Sequence, residues 1–156
     1  IVFEAHSTDY QLPANYKLLV DDHFAILKVG PQLTFALREA LYALNHIEKY
    51  LIEEDQHSNL YEICEAEMIS SPQNWNSFYS ATAEEEKFLR HFSYSDRIRY
   101  LSNTPIPLPL LSQYFPDQHT DVMEGNLRNK PEELIKAKIK SVLKHYSAAC
   151  YRETLG

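Results

Sequence analysis

The stretch Phe24-Ala-Ile-Leu-Lys-Val-Gly-Pro-Gln-Leu-Thr-Phe-Ala-Leu-Arg-Glu-Ala-Leu41 constrains this chain more than any other. Phe24 to Val29 is apolar except for Lys28, and the run ends at Gly30-Pro31. A short apolar run closed by Gly-Pro predicts a buried strand and then a turn. Beyond the turn, Leu33, Leu37, Leu41, Leu44, Ile47 and Leu51 recur on one face at helical spacing. Proline suits a helix entry, where the missing N–H would have had no intrahelical partner. The stretch therefore reads as strand, tight turn, helix.

The same order occurs just upstream. Ile1 to His6 reads as a strand interrupted by Glu4, Ser7-Thr8-Asp9 as a polar turn, and Pro13 to Asp22 as a helix. Two consecutive β/α units predict a parallel sheet with covering helices, an α/β fold. Ligands of such folds meet the carboxyl ends of the strands. Here those ends carry His6-Ser7-Thr8-Asp9 and Lys28-Val29-Gly30-Pro31.

Five pieces, in order, carry a family resemblance. They are Phe3-Glu-Ala-His-Ser-Thr-Asp-Tyr-Gln11, the Phe24–Leu41 stretch, Ser93-Tyr-Ser-Asp-Arg-Ile-Arg-Tyr100, Leu110-Leu-Ser-Gln-Tyr-Phe-Pro116 and Ala148-Ala-Cys150. Together they resemble the non-catalytic subunit of class II D-tagatose-1,6-bisphosphate aldolase, a family also labelled tagatose 6-phosphate kinase. The resemblance implies the C-terminal part of a TIM (β/α)8 barrel. Residues 1–52 would be its last two β/α units, and 53–156 a helical extension of the same domain. It also implies that the remainder of the barrel is missing from this chain, which starts without methionine inside a predicted strand. The family carries a further aromatic stretch and a helix where Tyr100 here meets Leu101, so the two are not expected to be neighbours in the parent protein.

Composition narrows the partners. A chain of 156 residues is the size of one domain. Its net charge of −7 and lack of a basic run argue against nucleic acid, which is bound through excess Lys and Arg. No apolar run reaches the ~18 residues of a membrane span. The two cysteines, Cys64 and Cys150, follow no metal or redox spacing and read as free thiols of a cytoplasmic protein.

Further along, Asn59 with Glu62 and Thr82 with Glu85 each fit a capping box. Ser71-Pro72 stops one helix and starts a short one carrying Trp75 and Tyr79. Thr104 to Leu110, with proline at alternate positions, reads as an extended connector. Asp117 to Asn126 reads as a short helix. Pro131-Glu132-Glu133 opens a last helix whose apolar face holds Ile135, Ile139, Val142, Leu143, Tyr146, Ala149 and Cys150.

Three groups are candidates for chemistry, each beside a plainer role. By the resemblance, His6 corresponds in position to a zinc-binding histidine of catalytic class II aldolases; alternatively it is a hydrogen-bonded residue at a strand end. Zinc is thereby implied for the intact barrel or its partner, while this chain's own residues imply no cofactor. Ser7, Thr8 and Asp9 either face substrate or form a turn capped by its own side chains. Lys28, Gly30 and Thr34 sit where helix N–H groups could cradle a phosphate, unless Lys28 pairs with Glu4 or Asp9. Arg97 and Arg99 would share one face of an extended segment and grip phosphate or carboxylate, or else form salt bridges with the acidic surface. No phosphate-binding Gly-rich loop supports the kinase label. The expected function is support of a catalytic aldolase subunit in sugar catabolism. The alternatives are a sugar-phosphate-binding enzyme, either aldolase or kinase, and a helical interaction module without a ligand site.

Overall fold

The structure is a computed structural model, and it describes residues 1–51, 53–101 and 131–151. The connector expected at 104–110 and the helix expected at 117–126 lie outside the described residues. Two parallel strands, β1 (Phe3–Ala5) and β2 (Phe24–Leu27), alternate with α1 (Tyr16–Asp21) and α2 (Gln32–Leu51). Then follow α3 (Leu60–Ser70), α4 (Ala83–Phe92), a 3-10 turn at Arg97–Leu101 and α5 (Pro131–Cys150). The described fold is thus mostly helical around a small parallel sheet.

The predicted β/α grammar is present, with shorter elements. Phe3 pairs with Phe24, Glu4 with Ile26 and Ala5 with Leu27, with an irregularity after Phe3. Pro13–Asn15 forms a 3-10 turn that leads into α1. The strands were expected to be buried, yet Phe3 is 58% and Ile26 47% exposed. Among the described residues no further strand or helix covers these side chains.

Two apolar clusters hold the helices. The first joins Tyr16 and Ala36 to Val142, Tyr146 and Ala149, so α5 packs against α1 and α2. Tyr16 and Tyr146 stack with ring centroids 4.3 Å apart. The second gathers Leu41, Leu60, Cys64, Met68, Trp75, Tyr79, Ile98 and Leu101. Trp75 anchors its turn by donating its indole N–H to the Met68 carbonyl at 2.6 Å.

Polar side chains are buried within this packing. The capping box at Thr82 and Glu85 forms as expected. The one expected at Asn59 does not: Asn59 takes φ 50° and makes no side-chain cap bond. Neighbouring α2 serves that helix start instead. Asn45 Oδ1 accepts from the Tyr61 N–H at 3.4 Å, and fully buried Glu48 accepts from the N–H and hydroxyl of Ser58, both at 2.6 Å. A buried carboxylate is tolerable only with its lone pairs filled, and Asn45 Nδ2 supplies a third bond to Glu48 at 3.0 Å.

A second polar network joins α2, α3 and α4. Arg90 donates to both oxygens of Glu65, at 3.0 and 2.5 Å. Buried His91 bridges Glu65 at 2.9 Å and the Tyr42 hydroxyl at 2.6 Å. Burial pushes the His91 imidazole down to about 4, against the pull of the Glu65 carboxylate. The ring is therefore neutral near pH 7. Its Nε2–H donates to Glu65, and its Nδ1 accepts from Tyr42.

Two expectations follow. An isolated fragment of residues 1–52 lacks the α5 side chains that complete the first cluster, so calorimetry should show no cooperative unfolding transition. The second concerns acid. His91 titrates near 6.5 when unfolded and lower when folded, so the unfolded chain binds the extra proton. The stability due to neutral His91 is complete above pH 6.5. It is lost as pH falls toward 4, at up to about 1.4 kcal/mol per pH unit. Arg90, foremost, holds Glu65 below the usual carboxylate range, so protonating Glu65 destabilises in the same direction. Urea midpoints should fall between about pH 7 and pH 5, and His91→Gln should flatten that slope.

Candidate functional site

The carboxyl ends of β1 and β2 are bound to each other by Thr8 and Asp9. After β2, the chain turns at Gly30-Pro31 and enters α2, so the N–H groups of Gly30 and Gln32 point out of the helix start. The Asp9 carboxylate takes both, Oδ1 from Gly30 at 2.9 Å and Oδ2 from Gln32 at 2.9 Å. A carboxylate at a helix N-terminus also meets the positive end of the helix dipole. Gly30 is required by this approach, because a Cβ there would lie 2.7 Å from Asp9 Oδ1.

Thr8 is fully buried beneath Asp9. Its N–H and its hydroxyl both reach the Lys28 carbonyl at 3.1 Å, and the hydroxyl meets that of Tyr146 at 3.0 Å. Thr8 and Asp9 bond across to the second β/α unit, and Ser7, in the left-handed region at φ 49°, makes no side-chain cap, so the self-capped turn weighed as their plainer role does not form. Thr34 turns back on its own helix and donates to the Pro31 carbonyl at 2.9 Å.

A second layer lies at the exposed surface. Glu4 Oε1 accepts from Lys28 Nζ at 2.8 Å and sits 2.6 Å from His6 Nε2. Lys28 first, and His6 after it, hold the Glu4 carboxyl below its usual range. Of the two roles considered for Lys28, the structure shows the carboxylate pair. Glu4, read in the sequence as an interruption of a strand and as a candidate partner of Lys28, is the hub of this cluster. Its i, i+2 spacing from His6 on a strand was the available signal. His6 offers one ligand nitrogen, already bonded to Glu4. Among the described residues no three His, Cys, Asp or Glu side chains come together as metal ligands. A zinc ion needs at least three, so the described residues by themselves do not fit one.

Arg97 and Arg99 occupy a 3-10 turn rather than an extended segment, and their contacts are with a separate group of residues. Arg97 stacks on the Phe78 ring, 3.3 Å from its centroid, and Arg99 on Tyr100 at 4.7 Å. The buried partner of this region is one that sequence reasoning missed. Arg38 donates through Nε to Asp96 Oδ1 at 2.8 Å, with both residues at least nine-tenths buried. Arg38 also lies 4.4 Å from the Phe35 centroid. The pair flanks an apolar cavity of about 220 Å³ walled by Leu37, Leu41, Leu60 and Ile98, with Thr34 and Arg99 also on it. A charge amid the leucine spacing of α2, between Leu37 and Leu41, was the clue to Arg38.

The Asp9 clasp can be measured. Asp9→Ala should cost about 2 kcal/mol, since two bonds to a charged acceptor are lost. Gly30→Ala should cost about 1–3 kcal/mol by overpacking, because Asp9 can move aside only by releasing its two N–H partners. The double variant should lose less than the sum of the two, with a coupling of about 1 kcal/mol or more in urea denaturation.

The sequence itself matches a known family over residues 1–151, nearly its whole length. That family is described as D-tagatose-1,6-bisphosphate aldolase subunit GatZ/KbaZ-like. With the motif at both strand ends and the Ser93–Tyr100 motif falling inside the match, this chain belongs to the GatZ/KbaZ-like family of D-tagatose-1,6-bisphosphate aldolase subunits.

Proposed function

We propose that this chain acts by association, as the non-catalytic subunit that supports a catalytic class II tagatose-1,6-bisphosphate aldolase in cytoplasmic sugar catabolism. The observation that carries this reading is the Asp9 clasp. A substrate phosphate at a helix start is held by free backbone N–H groups. Here the N–H groups of Gly30 and Gln32 are both taken by Asp9, and Lys28 is paired with Glu4. A cradle filled by the protein's own carboxylate serves to fix the loops.

In the same reading, β1 and β2 are consecutive strands of a parallel (β/α)8 barrel. The support is their parallel pairing across α1 and the exposure of two apolar strand side chains, Phe3 and Ile26. The rest of a barrel would cover these side chains, as purely parallel sheets require.

A second reading keeps a sugar phosphate at the strand ends, held by His6, Ser7, Lys28, Gly30 and Thr34. What favours it is that His6 and Lys28 are open to solvent beside the paired Glu4. In this reading phosphate displaces Asp9 from the two N–H groups, and Lys28→Met weakens phosphate binding measured by titration calorimetry. Under the first reading the same titration gives no phosphate-dependent heat.

Activity separates the two directly. The purified chain alone should not cleave D-tagatose 1,6-bisphosphate above background. Added to the catalytic subunit, it should raise the rate or lengthen the lifetime of activity several-fold. Robust turnover by the chain alone would overturn the non-catalytic assignment.

A further inference from the structure

The described arginines divide into two kinds. Arg38 and Arg90 are buried and bonded to carboxylates, Asp96 and Glu65. Arg97 and Arg99 are partly exposed, and among the described residues neither makes an ion pair. The chain as a whole carries a net charge of −7.

Both guanidinium groups are nonetheless held in place. Arg97 Cζ lies over the Phe78 ring, 3.3 Å from its centroid, and 5.7 Å from the Tyr100 centroid. Arg99 Nη1 donates to the carbonyls of Ser95 and Asp96, and its Nη2 to the Tyr100 hydroxyl at 3.0 Å. These partners are neutral, so they orient the charge without cancelling it. The turn that carries both residues is fixed from below. Ile98 and Leu101 are buried in the larger apolar cluster, and Asp96, just before the turn, is locked to Arg38. Phe78 is 57% and Tyr100 46% exposed. Ordered arginines set among exposed aromatic rings are the residue types that dominate protein–protein interfaces.

We infer that Phe78, Arg97, Arg99 and Tyr100 form a docking surface for an acidic patch on the catalytic aldolase subunit. The inference rests on the proposal that the chain works by association, and it adds where association occurs and by what chemistry. Charge complementarity selects the occupant. Two fixed guanidinium groups with no ion-pair partner among the described residues match carboxylates presented by another protein, in the forked geometry that arginine favours. The flanking rings supply rigid apolar area that loses little entropy on binding. A second copy of this chain and free inorganic phosphate are the competing occupants.

The test uses the full chain and the purified catalytic subunit, with affinity measured by biolayer interferometry at low and high salt. The wild-type complex should weaken as salt rises. Combined Arg97→Glu and Arg99→Glu should weaken it by about tenfold or more, and Tyr100→Ala should weaken it in the same direction. Calorimetry should show each variant melting like wild type. Arg97→Gln with Arg99→Gln serves as the milder pair if charge reversal lowers the melting temperature. A wild-type complex that forms but changes less than about twofold in the folded variants overturns this surface while leaving the association reading intact. Absence of any wild-type complex overturns both. Concentration-dependent self-association in ultracentrifugation that the same variants abolish would assign the surface to a second copy. Phosphate-dependent heat lost in those variants would assign it to a small anion. Either result overturns the proposal.

Discussion

The Asp9 carboxylate is the interaction on which the strand ends depend. It spans from the turn after β1 to the first N–H groups of α2, and so fixes two β/α units to each other where their strands finish. Thr8 repeats the link one residue earlier through the Lys28 carbonyl. The Asp9 bonds require the Gly30 backbone to come close, and that is why a residue without a side chain stands there. A loop pinned by charge-assisted hydrogen bonds holds its shape without a ligand.

The helical half follows a similar rule by other means. Its apolar clusters are joined by buried ionic and polar groups, Glu48 beneath the α3 start and Glu65 between Arg90 and His91. Groups of this kind contribute little net stability, but losing one partner of such a set is costly. They set which helix faces which, since only one register satisfies all of them. The Arg97 turn inherits its position from this arrangement through Ile98, Leu101 and Asp96.

The β/α alternation was readable because it is written locally, in an apolar run, Gly30-Pro31 and a leucine stripe. The capping box at Thr82 and Glu85 was readable for the same reason, as both partners lie within one turn. Asn59 and Glu62 have the same local spelling and failed, because α2 offers Asn45 and Glu48 to the same helix start from a distance. Lys28 was legible as a charge in need of a partner, and Glu4 was a named candidate for it. What the sequence concealed was the destination of Asp9, since a carboxylate in a polar turn resembles a solvated one until the second β/α unit is placed beside it. Arg38 was hidden likewise: its partner Asp96 lies 58 residues away.

Thr8 and Tyr146 share a hydrogen bond across 138 residues of chain. A contact of that span cannot exist until the last helix has been made, and at roughly 5–20 residues per second synthesis takes on the order of ten seconds to connect them. During that interval Tyr16 and Ala36 have no Val142, Tyr146 or Ala149 to cover them, and the first β/α units must wait with apolar surface open. Long-range closure of this type slows folding relative to helical proteins built from near neighbours. The apolar surface of α1 and α2 is thus open during synthesis for a reason located in α5.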